Sequence, residues 1–164
     1  MSMRTHISIL LAVSLFFFAG CTKKSAEGGN YSEVAADDAA MNGAIQKAKA
    51  TSSEFIEAFR AQKPGTTGFY VKKPFRTPTN GHEHMWIEVL SESDGVLQGI
   101  IANEAEDTKE VRMGQKVSLK LSEISDWKYQ EGKKMIGGYT IRYFIDKLSP
   151  KDQEAFLKES GFEL

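Results

Sequence analysis

The residue types best suited to chemistry gather in His82-Glu83-His84, where two imidazoles flank a carboxylate. Such a triplet could hold a metal ion or move a proton at a reacting atom. The supply of further ligands counts against a metal. A zinc site takes three or four ligands, and the chain of 164 residues has three histidines and one cysteine. In extended backbone the two imidazoles also point away from Glu83, because successive side chains alternate faces. No metal and no cofactor is therefore expected. The proton-transfer reading makes the protein a hydrolase, with His84 as general base and Glu83 or Asp126 assisting. No Gly-x-Ser-x-Gly elbow, Gly-x-x-x-x-Gly-Lys phosphate loop or dinucleotide fingerprint accompanies it. The 22 acidic residues form many carboxylate pairs, and spacing singles out none of them as a glycosidase pair.

A second kind of candidate is a polar-aromatic surface for a ligand or partner: His84, Trp86, Asp126, Trp127, Tyr139 and Arg142. Trp, Tyr and Arg are the residue types that most often anchor interfaces. The competing structural reading puts both Trp residues in the core, with Asp126 capping a turn or pairing with Arg142. Net charge is -1, so there is no global basic field and nucleic acid is not expected as a partner.

The single cysteine, Cys21, has its own chemistry. Arg4 and the apolar run Ile7–Ala19 lead into Phe18-Ala19-Gly20-Cys21. The 13-residue run is too short for a spanning helix, which needs about 20 residues, and has the length of a signal-peptide core. The tetrapeptide resembles a bacterial lipobox, although Phe18 stands where Leu is usual. Residues 1–20 then form a lipoprotein signal peptide, and Cys21 carries diacylglyceryl and acyl groups such as palmitate. Each buried methylene contributes ~0.8 kcal/mol, so two or three chains give a lasting membrane anchor. Thr22 rather than Asp follows Cys21, which resembles default sorting to the periplasmic face of the outer membrane in a two-membrane bacterium. Residues 21–35 are the lipidated Cys and a small, polar, Gly-containing tether. With no second cysteine, the domain at 36–164 must hold together by packing alone.

The elements that position these residues follow from periodicity. Apolar residues recur at helical spacing over 31–63, where Asp37 or Asp38 can cap and Gly43 and Thr51-Ser52-Ser53 weaken the middle. One long helix or two shorter ones fit equally. Phe69–Lys73 reads as a strand, and Asn80-Gly81 marks a turn. His82–Leu90 alternates cleanly, with Met85, Ile87 and Val89 toward a core and His84, Trp86 and Glu88 opposite. Asp94-Gly95 turns into a partner strand from Val96 to Asn103, where Gly99 marks a bulge or close backbone approach. Glu104–Glu110 reads as a solvated acidic loop, lacking the EF-hand spacing. Val117–Leu121 is a half-buried strand, and Trp127 and Tyr129 share a face. Ile141, Phe144, Ile145 and Leu148 have helical spacing, and a last helix is bounded by Ser149-Pro150 and Gly161.

Four motifs in order, Lys72-Lys73-Pro74-Phe75, Glu83-His84-Met85-Trp86, Ile124-Ser125-Asp126-Trp127 and Gly137-Gly138-Tyr139-Thr140-Ile141-Arg142, resemble the YegJ-like family of bacterial proteins. The resemblance covers roughly Ala36 to Ser160 and implies a shared fold without implying an activity. A looser likeness to segments of immunity proteins attaches to Gly114-Gln115-Lys116-Val117 followed by Ile124-Ser125-Asp126-Trp127. The expected fold is α+β: an N-terminal helix packed on a mostly antiparallel sheet of four to six strands, with two short C-terminal helices. The expected function is a lipid-anchored binding or interaction module of the cell envelope, its partners the membrane and an envelope protein. A hydrolase and an inhibitor or immunity-like protein are the alternatives.

Overall fold

The computed structural model describes residues 38–164. The signal peptide, Cys21, the tether and the first part of the helical segment lie outside those residues. Six strands form one antiparallel sheet: β1 (Thr66–Arg76), β2 (His82–Ser93), β3 (Val96–Ile101), β4 (Lys116–Lys120), β5 (Asp126–Glu131) and β6 (Lys134–Gly137). Their order is β4-β3-β2-β1-β5-β6, so β2 and β1 are central. The first four strands run as a meander. The chain then crosses to the other side of β1, where β5 and β6 form a hairpin. The expected α+β class and antiparallel sheet are both present.

Alternation gives the sheet two different faces. On one, Val71 lies opposite both Ile87 and Trp127 in register. With Met85, Val89, Leu97 and Ile101 they form the floor of the core. Helices α1 (Ala39–Ala50) and α2 (Ser52–Ala61) cover this floor, and α2 contributes Phe55 and Ile56. Aromatic rings join the layers. Phe55 packs edge-on to Phe69 at 5.8 Å and tilted against Trp127 at 5.8 Å, while Tyr129 stacks on Phe69 at 5.0 Å. The Trp127 indole N–H donates to the Ala48 carbonyl at 2.9 Å, which satisfies the buried donor and fixes α1 on the sheet.

The helical segment is two helices, not one. Asp38 caps α1 by accepting from the amides of Ala40 and Met41. The break comes at Thr51, whose hydroxyl donates to the Lys47 carbonyl and bonds the Tyr139 hydroxyl at 3.0 Å. A hydroxyl returning to the preceding turn bends or ends a helix. Gly43, by contrast, sits inside α1. Two helices close the chain, α3 (Tyr139–Lys147) and α4 (Pro150–Ser160). The α4 cap is Ser149 and its end is Gly161 in the left-handed region, as the sequence predicts.

Gly99 is required by a close approach. A Cβ there would collide with the Glu88 carbonyl oxygen, beside the bulge between Val89 and Ser91. Gly137 combines a positive φ with a would-be clash against the Trp127 carbonyl and indole ring, so only glycine fits.

Candidate functional site

The opposite face of the sheet carries the polar and titratable residues. Across the three central strands, Trp86, Lys72 and Asp126 form one row, and Glu88, Tyr70 and Lys128 form the next. Trp86 is half-buried, and two ammonium groups lie against its ring: Lys72 Nζ at 5.1 Å and Lys128 Nζ at 5.3 Å from the centroid. Lys128 Nζ also lies 4.9 Å from the Tyr70 ring and 5.1 Å from that of Phe162, which follows α4. Cations over aromatic faces gain electrostatically, more so where water is partly excluded.

One carboxylate balances this pair. Asp126 is fully buried and accepts four hydrogen bonds: from the Trp127 and Tyr139 amides on Oδ1, and from the Thr140 amide and hydroxyl on Oδ2 at 2.8 and 2.6 Å. It thereby caps α3, whose own N-cap position is Gly138 and provides no side chain. Lys72 Nζ lies 3.2 Å from Thr140 Oγ1, so ammonium, hydroxyl and carboxylate form a chain. Burial pushes the Asp126 carboxyl up, against the pull of its hydrogen bonds and Lys72. Burial likewise pulls the Lys72 ammonium down to about 8, against Asp126. Lys128 is pulled down by burial, with Asp126 opposing.

His84 lies at the end of this face. Its Nδ1 is 2.8 Å from Ser125 Oγ, and Ser125 Oγ is 3.3 Å from the Lys72 carbonyl oxygen, to which it donates. Which of the two donates between Nδ1 and Oγ depends on the imidazole tautomer. Burial, together with the charges of Lys72, His82 and Lys49, lowers His84 to about 4. The imidazole is neutral at physiological pH and has no carboxylate partner among the described residues.

The candidates from the sequence therefore separate. Glu83 sits on the core side and its carboxylate is occupied: Oε1 accepts from the Glu106 amide, and Oε2 from those of Asp107 and Thr108, at 2.8–3.0 Å. Asp126 is spent on capping α3. Neither acid assists His84. Trp127 and Asp126 are each 0% exposed, which corrects their place on a ligand surface. Strand parity is the reason for Trp127, which shares the face of Val71 and Ile87. Tyr139 packs edge-on against Trp127 at 5.8 Å, on the core side. Arg142 does not pair with Asp126. It donates from Nε to the Gly137 carbonyl and from Nη2 to that of Met135, bracing the β6–α3 connection. Of the six proposed surface residues, His84 and Trp86 lie on the second face with part of their surface accessible. Among the described residues, no group of three or more His, Cys, Asp or Glu side chains is placed to hold a metal.

The sequence of this domain matches a family pattern. The family described as "uncharacterized protein conserved in bacteria" (DUF2314) matches residues 38–164, the whole of the domain just described. The chain belongs to this family. It is 37% identical over 137 residues to the uncharacterized protein YegJ of Escherichia coli strain K12, covering 81% of this chain and 84% of that one. No solved structure matches the chain.

Within this family member, the residues that sequence reasoning passed over are Lys72, Lys128, Tyr70 and Thr140. Lys72 stood inside a family motif, and as a strand residue its parity opposite Val71 could have placed it beside Trp86. Lys128 alternates with Trp127 in the same way. Thr140 as a link between ammonium and carboxylate had no local signal, because it joins residues far apart in sequence.

Proposed function

We propose that the protein is a lipid-anchored binding module of the bacterial envelope, held by Cys21 and working through the second face of its sheet. The observation that carries this reading is Trp86, half-buried at the centre of the sheet with two ammonium groups against its ring. An indole, a neighbouring tyrosine and cationic side chains on a rigid strand are the materials of a recognition surface. The hydrolase reading draws no comparable support, since His84 is neutral and among the described residues has no acid beside it. The lipobox-like Phe18-Ala19-Gly20-Cys21 supports the anchor, and Thr22 supports the outer membrane as its destination.

The test is crosslinking of the anchored protein in cells, followed by mass spectrometry, with Trp86→Ala alongside. An envelope partner captured by the native protein and lost with Trp86→Ala supports the reading. The same adducts from both proteins, or none from either, count against it. Cys21→Ser should move the protein out of the membrane fraction; unchanged fractionation would refute the anchor.

A further inference from the structure

We infer that Lys128 is the anchor of an oxyanion-binding site on the second sheet face, taking a phosphate or carboxylate group against Trp86 and Tyr70. This rests on the second face being the working surface, and names the chemistry it would recognise.

The argument begins with charge. Lys72 and Lys128 both lie against Trp86, and Asp126 is the acid in the row of Lys72. The four hydrogen bonds that Asp126 accepts fill the lone-pair sites of a carboxylate. Its attraction reaches Lys128 through space, but no acceptor position is left for a bond. Glu88 is the acid in the row of Lys128; it is exposed, lies across Tyr70 from the lysine and forms no ion pair with it. Among the described residues Lys128 forms no ion pair and donates no hydrogen bond, and its ammonium is held by ring faces alone.

Accessibility comes next. Among the described residues, no buried side-chain nitrogen or oxygen lacks a partner. An ammonium without one must therefore touch solvent. Lys128 Nζ is thus partly desolvated without being sealed from solvent, on a residue that keeps part of its surface accessible. An ammonium in that state binds an oxyanion more strongly than a fully hydrated surface lysine, because part of its hydration has already been given up and the local dielectric is lower. The rings fix its position, so little side-chain entropy is lost when the anion arrives. Lys72, covered by Trp86, adds a second positive charge behind the first.

The experiment uses the purified full-length protein at low ionic strength, with inorganic phosphate as one probe and phosphatidylglycerol vesicles as another. Phosphatidylcholine vesicles and chloride of matched ionic strength are the controls. The chain has two tryptophans, and Trp127 is sealed in the core, so emission changes report on Trp86. A saturable change with phosphate is expected, weakened about tenfold or more by Lys128→Gln and kept by Lys128→Arg, as for loss of a charge-assisted hydrogen bond. A second readout needs no variant: phosphate should slow acylation of Lys128 by an amine-reactive reagent, mapped by mass spectrometry, and leave exposed Lys151 unaffected.

A response to phosphate supports a soluble oxyanion. A response to phosphatidylglycerol vesicles alone supports a lipid headgroup as its source. No saturable response to either probe, or one unchanged by Lys128→Gln with unprotected Lys128, overturns the inference. In that event, a partner crosslinked through Trp86 would leave the binding-module reading standing.

Discussion

At the scale of single residues, the second face is governed by the cost of burying charge. His84 shows it most simply. Unfolded, its imidazole titrates near the ordinary value of about 6.5; folded, it is lowered to about 4. Between those values the unfolded chain holds the extra proton, so acid favours unfolding. The contribution is complete above the unfolded value and is lost as pH falls through the folded one, on the order of 3 kcal/mol across the window. Unfolding free energies measured between pH 7 and pH 4 should fall less steeply for His84→Gln than for the native protein. Equal slopes would mean that His84 is not the group responsible. Asp126 makes the complementary case. Asp126→Ala removes the acceptor of three amides and a hydroxyl, and should cost about 3 kcal/mol or more in denaturant-induced unfolding. A loss under 1 kcal/mol would show that water replaces the carboxylate. The sequence marked Asp126 as notable and suggested a cap, but not of which element, because the helix it caps begins thirteen residues later.

At the scale of elements, local signals carried most of the fold and failed where long-range contacts decide. The alternation of Met85, Ile87 and Val89, the Asp94-Gly95 turn and the Ser149-Pro150 cap are encoded within a few residues, and each is where its pattern puts it. The break at Thr51 depends in part on a bond to Tyr139 across the molecule, so periodicity left one helix or two open. Residue type alone leaves Trp127 and Asp126 open between a recognition surface and a buried core-and-cap role. Their burial follows from the β1–β5 pairing, which no neighbouring residue announces. Glu83 belongs to the same class. It looked like half of a metal or acid–base site and is in fact the anchor of the 104–110 loop, binding three successive amides. Glu83→Ala should therefore speed hydrogen exchange at the Glu106, Asp107 and Thr108 amides, while amides of the β1–β2 ladder keep their protection. Unchanged exchange at those three positions would show that the loop is held by other contacts, such as the Thr108 hydroxyl on the Arg76 carbonyl.

At the scale of the whole molecule, the domain divides its labour between two sheet faces. One is closed by aromatic packing under α1 and α2, and the other carries Lys72 buried against Trp86, with Lys128 and the rings of Trp86 and Tyr70 half-buried. The edges differ as well. Along β6, the amide of Met135 donates to the Glu163 carbonyl, and the amide of Glu163 donates to that of Lys133. The last residues thus occupy hydrogen-bonding positions that would otherwise face outward. At the opposite edge, β4 carries Lys116 and Lys120, charges of the kind that discourage another strand from adding. Removing residues 161–164 should expose the β6 edge, and sedimentation velocity should then show concentration-dependent self-association that the intact chain lacks. A truncated protein that sediments as the intact one does would show that β6 needs no cover. Residues 161–164 are in this sense a plug against polymerisation. Were the domain held at a membrane as proposed, it would meet its own copies at high local density, where an uncovered strand edge joins them most readily.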